Sequence, residues 1–400
     1  MNKICFIGLG YIGLPTAALV ASKGRDTIGV DINPDIVNII NSGKVHIIEP
    51  DLNKLVKSVV DQNKLKATLV PEVSDVYLIV VPTPFKENHM PDISYVEVAT
   101  ESIIPLLKEG DLYIIESTSP VGTTEMMADL IWRQRPELKG KIFIAYCPER
   151  VLPGNVIYEL ENNDRIIGGI DKPSAEKASE FYKLFVKGEL YSTDTKTAEM
   201  CKLTENSSRD VQIAFANELS MVCEKAGINV WELISLANKH PRVNILQPGC
   251  GVGGHCIAVD PWFIISNYPE ESQLIKKARD INDYKAEWCI NKIIETAVSF
   301  KEKNGMFPVI ACMGLAFKPD IDDLRESPAK YISSKIFEKL DSNVLIVEPN
   351  LVNHKQFKLE NAQTAYDKAD IIVWLVRHKE FLVISKKMNK IEIDFCGVRK

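Results

Sequence analysis

A cysteine at the end of a glycine-rich segment is the strongest candidate for chemistry in this sequence. The segment reads GVGGHCIAVDP over residues 251–261, and it places Cys256 four residues before Asp260. A cysteine becomes a nucleophile as its thiolate, which requires partial exposure near a positive charge or a helix N-terminus. We therefore expect Cys256 to be a nucleophile, with Asp260 one helical turn beyond it. A buried structural thiol is the ordinary alternative.

The N-terminal residues carry a dinucleotide-binding pattern. Gly8, Gly10 and Gly13 spell GxGxxG between an apolar strand and an apolar helix, and Asp31 ends the second strand. Such glycines allow a tight turn and bring a pyrophosphate to the positive end of the helix. A carboxylate at the strand end accepts hydrogen bonds from the adenosine ribose and repels a 2′-phosphate. The pattern predicts a Rossmann domain that binds NAD rather than NADP.

Further strands of this domain end in polar turns. The segments VYLIVVPTP, DLYIIEST and KIFIAYCPE end near Thr83, Thr118 and Glu149. Ligands of an open parallel sheet bind beyond the carboxyl ends of its strands, so these side chains are expected to line a cofactor crevice. Ordinary turn chemistry is the alternative.

The pattern becomes helical from Thr197 to about Lys239. The apolar spacing predicts a long helix that serves as a spine and as a dimer surface. On it, Lys202, Asn206 and Arg209 share one face, because they are spaced i, i+4 and i+7. A solvated polar face would have the same spacing.

A strand, glycine turn and helix recur after about residue 305. The new turn reads GLAFKP instead of GxGxxG, and Lys318 in it is expected to face the phosphates of a nucleotide. The sequence thus predicts an α/β protein with two Rossmann-like doubly wound domains joined by a central helical domain. The expected boundaries are 1–196, 197–304 and 305–400.

Composition limits the classes of partner and compartment. A net charge of -6 without a long basic run argues against nucleic acid or an anionic membrane as the main partner. We expect a cytoplasmic protein, because no segment has the features of a signal peptide or the length of a membrane span. Nine scattered cysteines fit a reducing compartment. Cys250, His255 and Cys256 lack the further ligands of a metal site, so no metal is expected.

A series of motifs resembles the UDP-glucose/GDP-mannose dehydrogenase family, in family order and over essentially the whole chain. The motifs are GLGYIGLP, VPTP, ESTSPVGTT, CPERVLPG, AEMCKLTEN, GVGGHCIAVDP and GLAFKPDIDDLRESP. The resemblance implies that two NAD in succession oxidise the C6 alcohol of a nucleotide sugar to a carboxylate. It also implies that a cysteine traps the intermediate aldehyde as a thiohemiacetal, which becomes a thioester and is then hydrolysed.

The resemblance also implies roles for individual residues. Cys256 would be the nucleophile, Lys202 and Asn206 would act at the reacting oxygen, and Asp260 would orient Lys202 or a water. Glu149 and Thr118 would hold the hydrolytic water, while the base at each step stays open. NAD contacts are expected at Tyr11, Ile12, Asp31, Thr83, Thr118 and Arg325. Substrate contacts are expected at Arg150, Val151, Lys202, Asn206, Arg209, His240, Arg242, Gly253 and Lys318.

Two motifs bear on the sugar. Within the family, PER at Arg150 goes with N-acetylated sugars, and HPRVNILQPG resembles the mannosamine branch. The expected substrate is UDP-N-acetyl-D-mannosamine, oxidised for a surface polysaccharide; UDP-N-acetylglucosamine and UDP-N-acetylgalactosamine are alternatives. An NAD-bound epimerase is a remote alternative, since it would not need Cys256. A non-catalytic nucleotide-sugar binding protein is another, although it has no use for the whole catalytic set.

Three positions depart from the pattern of close relatives. Cys250 stands where proline is more usual, Ser208 replaces a larger residue, and Cys396 stands where a basic residue often precedes the glycine. Whether Arg399 substitutes for that basic residue is open at the level of sequence.

Overall fold

A computed structural model describes residues 1–84, 86, 89–152, 154–254, 256–340 and 343–400. His255, considered above as a metal ligand, lies outside these ranges. The strands are β1 (Lys3–Ile7), β2 (Asp26–Val30), β3 (Leu65–Thr68), β4 (Val76–Ile79), β5 (Leu112–Ile115), β6 (Phe143–Tyr146), β7 (Arg165–Gly169), β8 (Leu190–Asp194), β9 (Ile310–Met313), β10 (Val344–Val347), β11 (Ile371–Trp374) and β12 (Ile391–Asp394). The helices are α1 (Gly13–Ser22), α2 (Pro34–Asn41), α3 (Leu52–Asp61), α4 (Ser94–Ile103), α5 (Thr123–Gln134), α6 (Val156–Asn162), α7 (Lys172–Tyr182), α8 (Thr195–Ala226), α9 (Val230–Ala237), α10 (Asp260–Asn267), α11 (Gln273–Asn304), α12 (Pro328–Leu340), α13 (Ala362–Lys368) and α14 (Lys379–Leu382).

The chain divides into two compact units. The first comprises Met1–Thr204 and Trp262–Asn267, and the second comprises Glu205–Pro261 and Tyr268–Lys400. The predicted three-domain boundaries stay a prediction. Among the described residues, no helix combines the length and the apolar character needed to cross a membrane.

The first unit contains a sheet of strand order β3-β2-β1-β4-β5-β6-β7-β8. Its described neighbours pair in parallel except β6 and β7, which are antiparallel. Alternate residues of β1 enter different cores: Ile4 and Phe6 pack with α1 and α3, whereas Cys5 and Ile7 pack with α4 and α5. A sheet buried on both faces requires apolar residues at successive positions, which explains the continuous apolar runs of its central strands.

The second unit contains a parallel sheet of order β10-β9-β11-β12. It too is covered on both faces, because Ile310 and Cys312 of β9 enter one core and Ala311 and Met313 enter another. The two sheets and the 32-residue helix α8 confirm the predicted fold class.

Sequence patterns did not predict four of the strands, and the structure shows why. β8 is largely exposed and β3 is a short strand of alternating burial, so neither has an apolar run. β7 ends in Gly168 and Gly169, which are typical of a turn. A Cβ on Gly168 would lie 2.6 Å from the carbonyl oxygen of Asp194, and one on Gly169 would lie 2.4 Å from the nitrogen of Ala175. β12 is the short edge strand of the second sheet.

Buried polar side chains link α8 to α11 in the second unit. Asp210 Oδ1 accepts hydrogen bonds from Arg279 NH1 at 2.7 Å and from Asn282 Nδ2 at 2.8 Å. Asn282 Oδ1 in turn accepts one from Asn217 Nδ2 at 2.9 Å, and Asn217 Oδ1 accepts one from the backbone nitrogen of Gly249 at 2.8 Å. This polar ladder, formed by Asp210, Arg279, Asn282 and Asn217, therefore positions the chain just before the glycine-rich segment.

The ladder predicts unequal effects for two carboxylates that both contact Arg279. Asp210 is fully buried, whereas the side chain of Asp283, 2.6 Å from Arg279 NH2, is 57% exposed. We expect Asp210→Ala to lower the free energy of unfolding by ~3–5 kcal/mol, because it leaves a buried guanidinium poorly compensated. Asp283→Ala is the matched control and should cost at most ~1 kcal/mol. Urea denaturation measures both changes in the free energy of unfolding. Equal losses of stability in the two variants would contradict the polar ladder as the main link between α8 and α11.

Candidate functional site

The three glycines of the first turn meet different surroundings. Gly8 has φ +102°, and a Cβ there would lie 2.4 Å from the carbonyl oxygen of Val80. A Cβ on Gly13 would lie 1.9 Å from the carbonyl oxygen of Gly8, so this glycine permits α1 to pack against β1. A Cβ on Gly10 would meet nothing within 4 Å among the described residues. Gly10 thus faces open space, whereas Gly8 and Gly13 lie against backbone atoms of the protein.

Asp31 is held beside this turn. Its Oδ2 accepts a hydrogen bond from the backbone nitrogen of Leu9 at 3.3 Å, and Oδ1 accepts one from that of Asn33 at 2.9 Å. The side chain remains partly exposed, so it can also accept hydrogen bonds from ribose hydroxyls. The turn and Asp31 together fit the adenosine diphosphate part of NAD.

Except for Arg325, the other residues predicted to contact NAD or water follow strands of the same sheet. Tyr11 is 49% exposed and Ile12 precedes α1, whereas Thr83 and Thr118 are partly buried and follow β4 and β5. Arg325 lies in the second unit, where its Nε and NH2 form a bidentate pair with the carboxylate of Asp323 at 2.6–3.0 Å.

Glu149 follows β6 and is fixed from two sides. Its Oε2 accepts a hydrogen bond from Arg165 NH2 at 2.9 Å, and its Oε1 accepts one from the backbone nitrogen of Arg150 at 2.7 Å. The side chain of Arg150 donates to the carbonyl oxygen of Asp164 at 2.7 Å, and Val151 packs against the core. Sequence reasoning missed Arg165; a charged residue that opens the apolar run RIIGG was the available signal.

A second buried carboxylate lies near Glu149. Glu116 directly follows β5, is 3% exposed, and accepts a hydrogen bond from the hydroxyl of Tyr182 at 2.6 Å. Burial raises the pKa of Glu116 to about 7; the charge of Glu149 acts in the same direction, and the charge of Arg165 opposes it. Glu116 was also not predicted, because its position in the ESTSPVGTT motif reads as the end of a strand.

Cys256 is exposed at the start of the turn that leads into α10. Its carbonyl oxygen accepts hydrogen bonds from the backbone nitrogens of Val259 at 3.0 Å and Asp260 at 2.8 Å. Asp260 therefore lies one helical turn beyond Cys256, at the spacing expected from the sequence.

The glycines before Cys256 allow close packing within the second unit. A Cβ on Gly253 would lie 2.5 Å from the carbonyl oxygen of Glu326 and 2.7 Å from Cβ of Phe317. Gly254 has φ +82° and donates its backbone N–H to the carbonyl oxygen of Arg325 at 3.0 Å. These contacts fix the backbone that carries Cys256.

Two predicted catalytic residues meet directly. Asn206 Nδ2 donates a hydrogen bond to Asp260 Oδ2 at 2.5 Å, and Asp260 is 3% exposed. Lys202 precedes Asn206 by one turn of α8 and is partly buried, whereas Arg209 is exposed. α8 is thus joined to the segment that carries Cys256.

The remaining predicted substrate residues lie on exposed parts of the second unit. His240 Nδ1 accepts a hydrogen bond from the backbone nitrogen of Arg242 at 3.3 Å, and both residues are exposed, as is Lys318. Arg399 is engaged within the fold: its Nε donates to Glu392 Oε2 at 2.6 Å and its NH1 to the carbonyl oxygen of Ile384 at 2.7 Å. These contacts argue against Arg399 as a replacement for the basic residue whose place Cys396 takes.

Glu348, at the end of β10, corresponds in position to Asp31 but is more fully engaged. Its Oε2 accepts hydrogen bonds from the backbone nitrogens of Leu315 at 2.7 Å and Ala316 at 2.9 Å, and lies 3.1 Å from His378 Nε2. Burial alone would raise the pKa of Glu348, but these hydrogen bonds outweigh it and lower the pKa to about 2. At the glycine turn of the second unit, GLAFKP, the strand-end carboxylate is therefore already engaged by hydrogen-bond donors of the protein itself.

Asp320, His378 and Glu380 are the candidate metal cluster among the described residues, with ligand atoms within 4.8 Å of one another. His378 Nδ1 accepts a hydrogen bond from the backbone nitrogen of Asp320 at 2.9 Å. Since His378 Nε2 faces Glu348, both ring nitrogens take part in the fold, and the cluster is a poor metal site.

Comparison with protein families gives three consecutive matches. Residues 2–186 match the NAD binding domain of the UDP-glucose/GDP-mannose dehydrogenase family, 196–284 match its central domain, and 311–398 match its UDP binding domain. The match of the first domain confirms NAD as the predicted cofactor.

Individual relatives extend over the whole chain. A UDP-N-acetyl-D-mannosamine dehydrogenase of Campylobacter jejuni is 55% identical over 99% of this chain and 99% of its own length. An NDP-N-acetyl-D-galactosaminuronic acid dehydrogenase of Ralstonia nicotianae is 52% identical over 99% of this chain and 96% of its own. The solved structure of a UDP-D-ManNAc dehydrogenase from Pyrococcus horikoshii has a TM-score of 0.88 at 40% identity, covering 100% of this chain and 96% of that one.

The surroundings of the glycines predict opposite outcomes for two similar substitutions. Gly10→Ala should leave the melting temperature unchanged but weaken NAD binding by about tenfold or more, because its methyl group occupies the approach of the pyrophosphate. Gly13→Ala should lower the free energy of unfolding by ~1–3 kcal/mol or more, because its Cβ overlaps the carbonyl of Gly8. Calorimetric titration with NAD and thermal denaturation separate the two effects. Wild-type NAD affinity in Gly10→Ala would exclude this turn as the pyrophosphate site.

Proposed function

Because the chain belongs to the UDP-glucose/GDP-mannose dehydrogenase family, we propose that it oxidises UDP-N-acetyl-D-mannosamine at C6 to UDP-N-acetyl-D-mannosaminuronate. The observation that carries the proposal is an exposed Cys256 one turn from Asp260, which is hydrogen-bonded to Asn206. Relatives named UDP-N-acetyl-D-mannosamine dehydrogenase, which are 53–55% identical to this chain, support the mannosamine substrate. The relative from Ralstonia nicotianae makes an N-acetylgalactosamine derivative the second candidate.

The proposed reaction begins at the C6 hydroxyl. NAD supplies the hydride acceptor for each of the two oxidations. Lys202 acts in proton transfer at the C6 oxygen and Asn206 donates a hydrogen bond to it, so both stabilise negative charge developing there. Asp260, which accepts from Asn206, fixes the direction in which that amide donates.

Cys256 carries the second half of the reaction. Its sulfur attacks C6 of the aldehyde, so that a C–S bond forms, the C=O π bond breaks and the oxygen takes up a proton to give a thiohemiacetal. Loss of a second hydride from C6, together with the proton of its hydroxyl group, leaves a thioester. A water held by Glu149 and Thr118 then adds to C6 and the C–S bond breaks, which releases the carboxylate and returns the thiol.

Recognition of the two ligands follows the sequence prediction. We propose that Arg150, Val151, Arg209, His240, Arg242, Gly253 and Lys318 contact the UDP-sugar, and that Tyr11, Ile12, Asp31, Thr83, Thr118 and Arg325 contact NAD. The assignments of Tyr11, Ile12, Asp31, Thr83 and Thr118 to NAD and of Lys318 to the UDP-sugar are supported by the residues matched, 2–186 for the NAD binding domain and 311–398 for the UDP binding domain. We also propose the domain boundaries 1–196, 197–304 and 305–400, which are supported by three consecutive matches over 2–186, 196–284 and 311–398.

We also propose a homodimer or higher homo-oligomer formed through α8. Phe215 and Val222 are 54% and 58% exposed on this helix, and a spacing of seven residues places them on one face. Exposed apolar side chains in a row are typical of a protein interface. A cytoplasmic location is part of the proposal, supported by nine cysteines scattered along the chain, a pattern that fits a reducing compartment.

The ratio of NADH formed to sugar consumed tests the reaction. With UDP-N-acetyl-D-mannosamine and excess NAD, we expect two NADH per sugar, and little NADH with UDP-glucose. The same ratio with UDP-N-acetylgalactosamine or UDP-N-acetylglucosamine instead would keep the mechanism and change the substrate. NAD-dependent isomerisation without NADH would replace the dehydrogenase by an epimerase.

Substitution of the nucleophile tests the covalent steps. Cys256→Ser should reduce acid formation by at least ~10³-fold, because a hydroxyl near neutral pH is a much weaker nucleophile than a thiolate, while both ligands still bind. Cys223→Ala, at a buried cysteine of α8, is the control and should turn over normally. Wild-type acid formation by Cys256→Ser would exclude the thioester route.

Sedimentation velocity tests the dimer. Phe215→Asp places a charge on the proposed interface and should shift the protein to monomers, because a buried unpaired charge costs several kcal/mol. Val352→Asp, at a side chain 98% exposed in the C-terminal region, should leave the dimer intact. A monomeric wild type, or a dimer unaffected by Phe215→Asp, would exclude this interface.

A further inference from the structure

Three charged side chains and a tyrosine form one cluster in the first unit: Glu149, Arg165, Glu116 and Tyr182. Since β7 runs antiparallel to β6, its first residue, Arg165, lies at the edge where β5 and β6 end. Glu116 and Glu149 follow those two strands. The side chain of Arg165 is only 4% exposed, so its charge is compensated within this cluster.

Arg165 is held firmly in place. Its guanidinium carbon lies 5.0 Å from the ring centroid of Tyr182 and 5.8 Å from that of Phe185, and NH1 lies 3.9 Å from Cys147 Sγ. Packing against two rings fixes the direction of NH2, which donates to Glu149 Oε2 at 2.9 Å. With the backbone nitrogen of Arg150 on Oε1, both oxygens of Glu149 have a defined donor.

Glu116 is the less fully compensated of the two carboxylates. Tyr182 donates to Oε1, whereas Oε2 is buried without a hydrogen-bond partner among the described residues. Burial also raises the pKa of Tyr182, which keeps its hydroxyl protonated as a donor. Glu116 is therefore present in both its neutral and its charged form near neutral pH, and only the charged form attracts the Arg165 guanidinium.

We propose that Arg165 and Glu116 are positioning residues for Glu149, with Arg165 fixing the orientation of its carboxylate and Glu116 adjusting the strength of that ion pair. The inference rests on the role of Glu149 in the proposed function. Neither Arg165 nor Glu116 needs to touch the substrate. Outer residues of this kind commonly change activity by about 10- to 100-fold in metal sites, and the same logic of orientation applies to a carboxylate that holds water.

Glu116 makes the cluster sensitive to pH. The groups facing it are Arg165 of β7, Tyr182 of α7, and Cys147 and Glu149 after β6; burial raises the pKa of the Cys147 thiol to about 12, so it stays neutral. Because the pKa of Glu116 is about 7, Glu116 is mostly neutral below pH 7, and Glu149 is then the charged partner of Arg165. Above pH 7 Glu116 is mostly charged, and both carboxylates attract the Arg165 guanidinium. Ionisation of Glu116 therefore weakens the hold on Glu149.

Kinetics of three variants test the proposal. Arg165→Met should lower kcat by about 10- to 100-fold with both KM values within about twofold, and Arg165→Lys should restore part of the loss. Glu116→Gln keeps an acceptor for Tyr182 but removes the titration, so an inflection of kcat near pH 7 in the wild type should disappear. Glu199→Gln is the matched control, since Glu199 is a buried carboxyl of the same unit with a raised pKa that pairs with Gly122 and Thr124. It should keep the wild-type pH profile.

Unfolding measurements test the charge cluster without any activity assay. The folded-state pKa of Glu116 exceeds its unfolded value, so the wild type loses stability as the pH rises from about 4.5 to 7. Glu116→Gln lacks this loss, and its stability relative to the wild type should therefore be more favourable at pH 8 than at pH 5.

The outcomes separate the inference from the proposed function. An unchanged kcat inflection in Glu116→Gln, or an Arg165→Met enzyme that loses stability but keeps its kcat per folded molecule, would overturn the positioning role. A wild type that oxidises no nucleotide sugar would overturn the proposed function, and with it the role of Glu149. The charge cluster would then be tested by the unfolding data alone. If Glu116→Gln changed the free energy of unfolding equally at pH 5 and pH 8, the cluster would be contradicted.

Discussion

The buried hydrogen bonds between α8 and α11 are the constraint on which the position of Cys256 depends. Asp210 joins the two helices, and Asn217 passes the restraint to the backbone of Gly249, just before the glycine-rich segment. After Cys256 the chain is tied to α8 again, through Asp260 and Asn206. A segment rich in glycine loses much conformational entropy when it is ordered, so anchors on both sides are what permit an exposed thiol to have a defined place.

The two Rossmann-like sheets share one local interaction, a strand-end carboxylate that accepts backbone N–H groups of the first turn, but its consequence differs between them. In each, an acidic side chain at the end of the second strand accepts backbone N–H groups of the first turn, as Asp31 does for Leu9 and Glu348 for Leu315 and Ala316. Asp31 stays partly exposed, whereas Glu348 is buried and also faces His378. The same interaction thus leaves one carboxylate available to a ribose and uses the other to stabilise the fold.

The sequence predicts much of this because the relevant physics is local. GxGxxG with Asp31, the apolar central strands, the long α8 and the turn from Cys256 to Asp260 all depend on residues close together in the chain. Arg165, Glu116 and the strands β7 and β8 were missed because their significance is not local. Gly168 and Gly169 resemble a turn until β8 and α7 are placed against them, and the pairing of Arg165 with Glu149 depends on β7 running antiparallel to β6.

The burial of the cysteines makes one position of the chain more accessible to thiol reagents than the others. Of the nine thiols, all of which belong to the described residues, Cys256 alone is exposed; Cys201 and Cys396 are partly buried and the others are buried. An electrophilic reagent that must diffuse from solvent therefore encounters one side chain before the rest. Covalent tagging of this thiol would place a fluorophore or an affinity handle at a single point of the folded chain, without any engineered removal of the other eight cysteines.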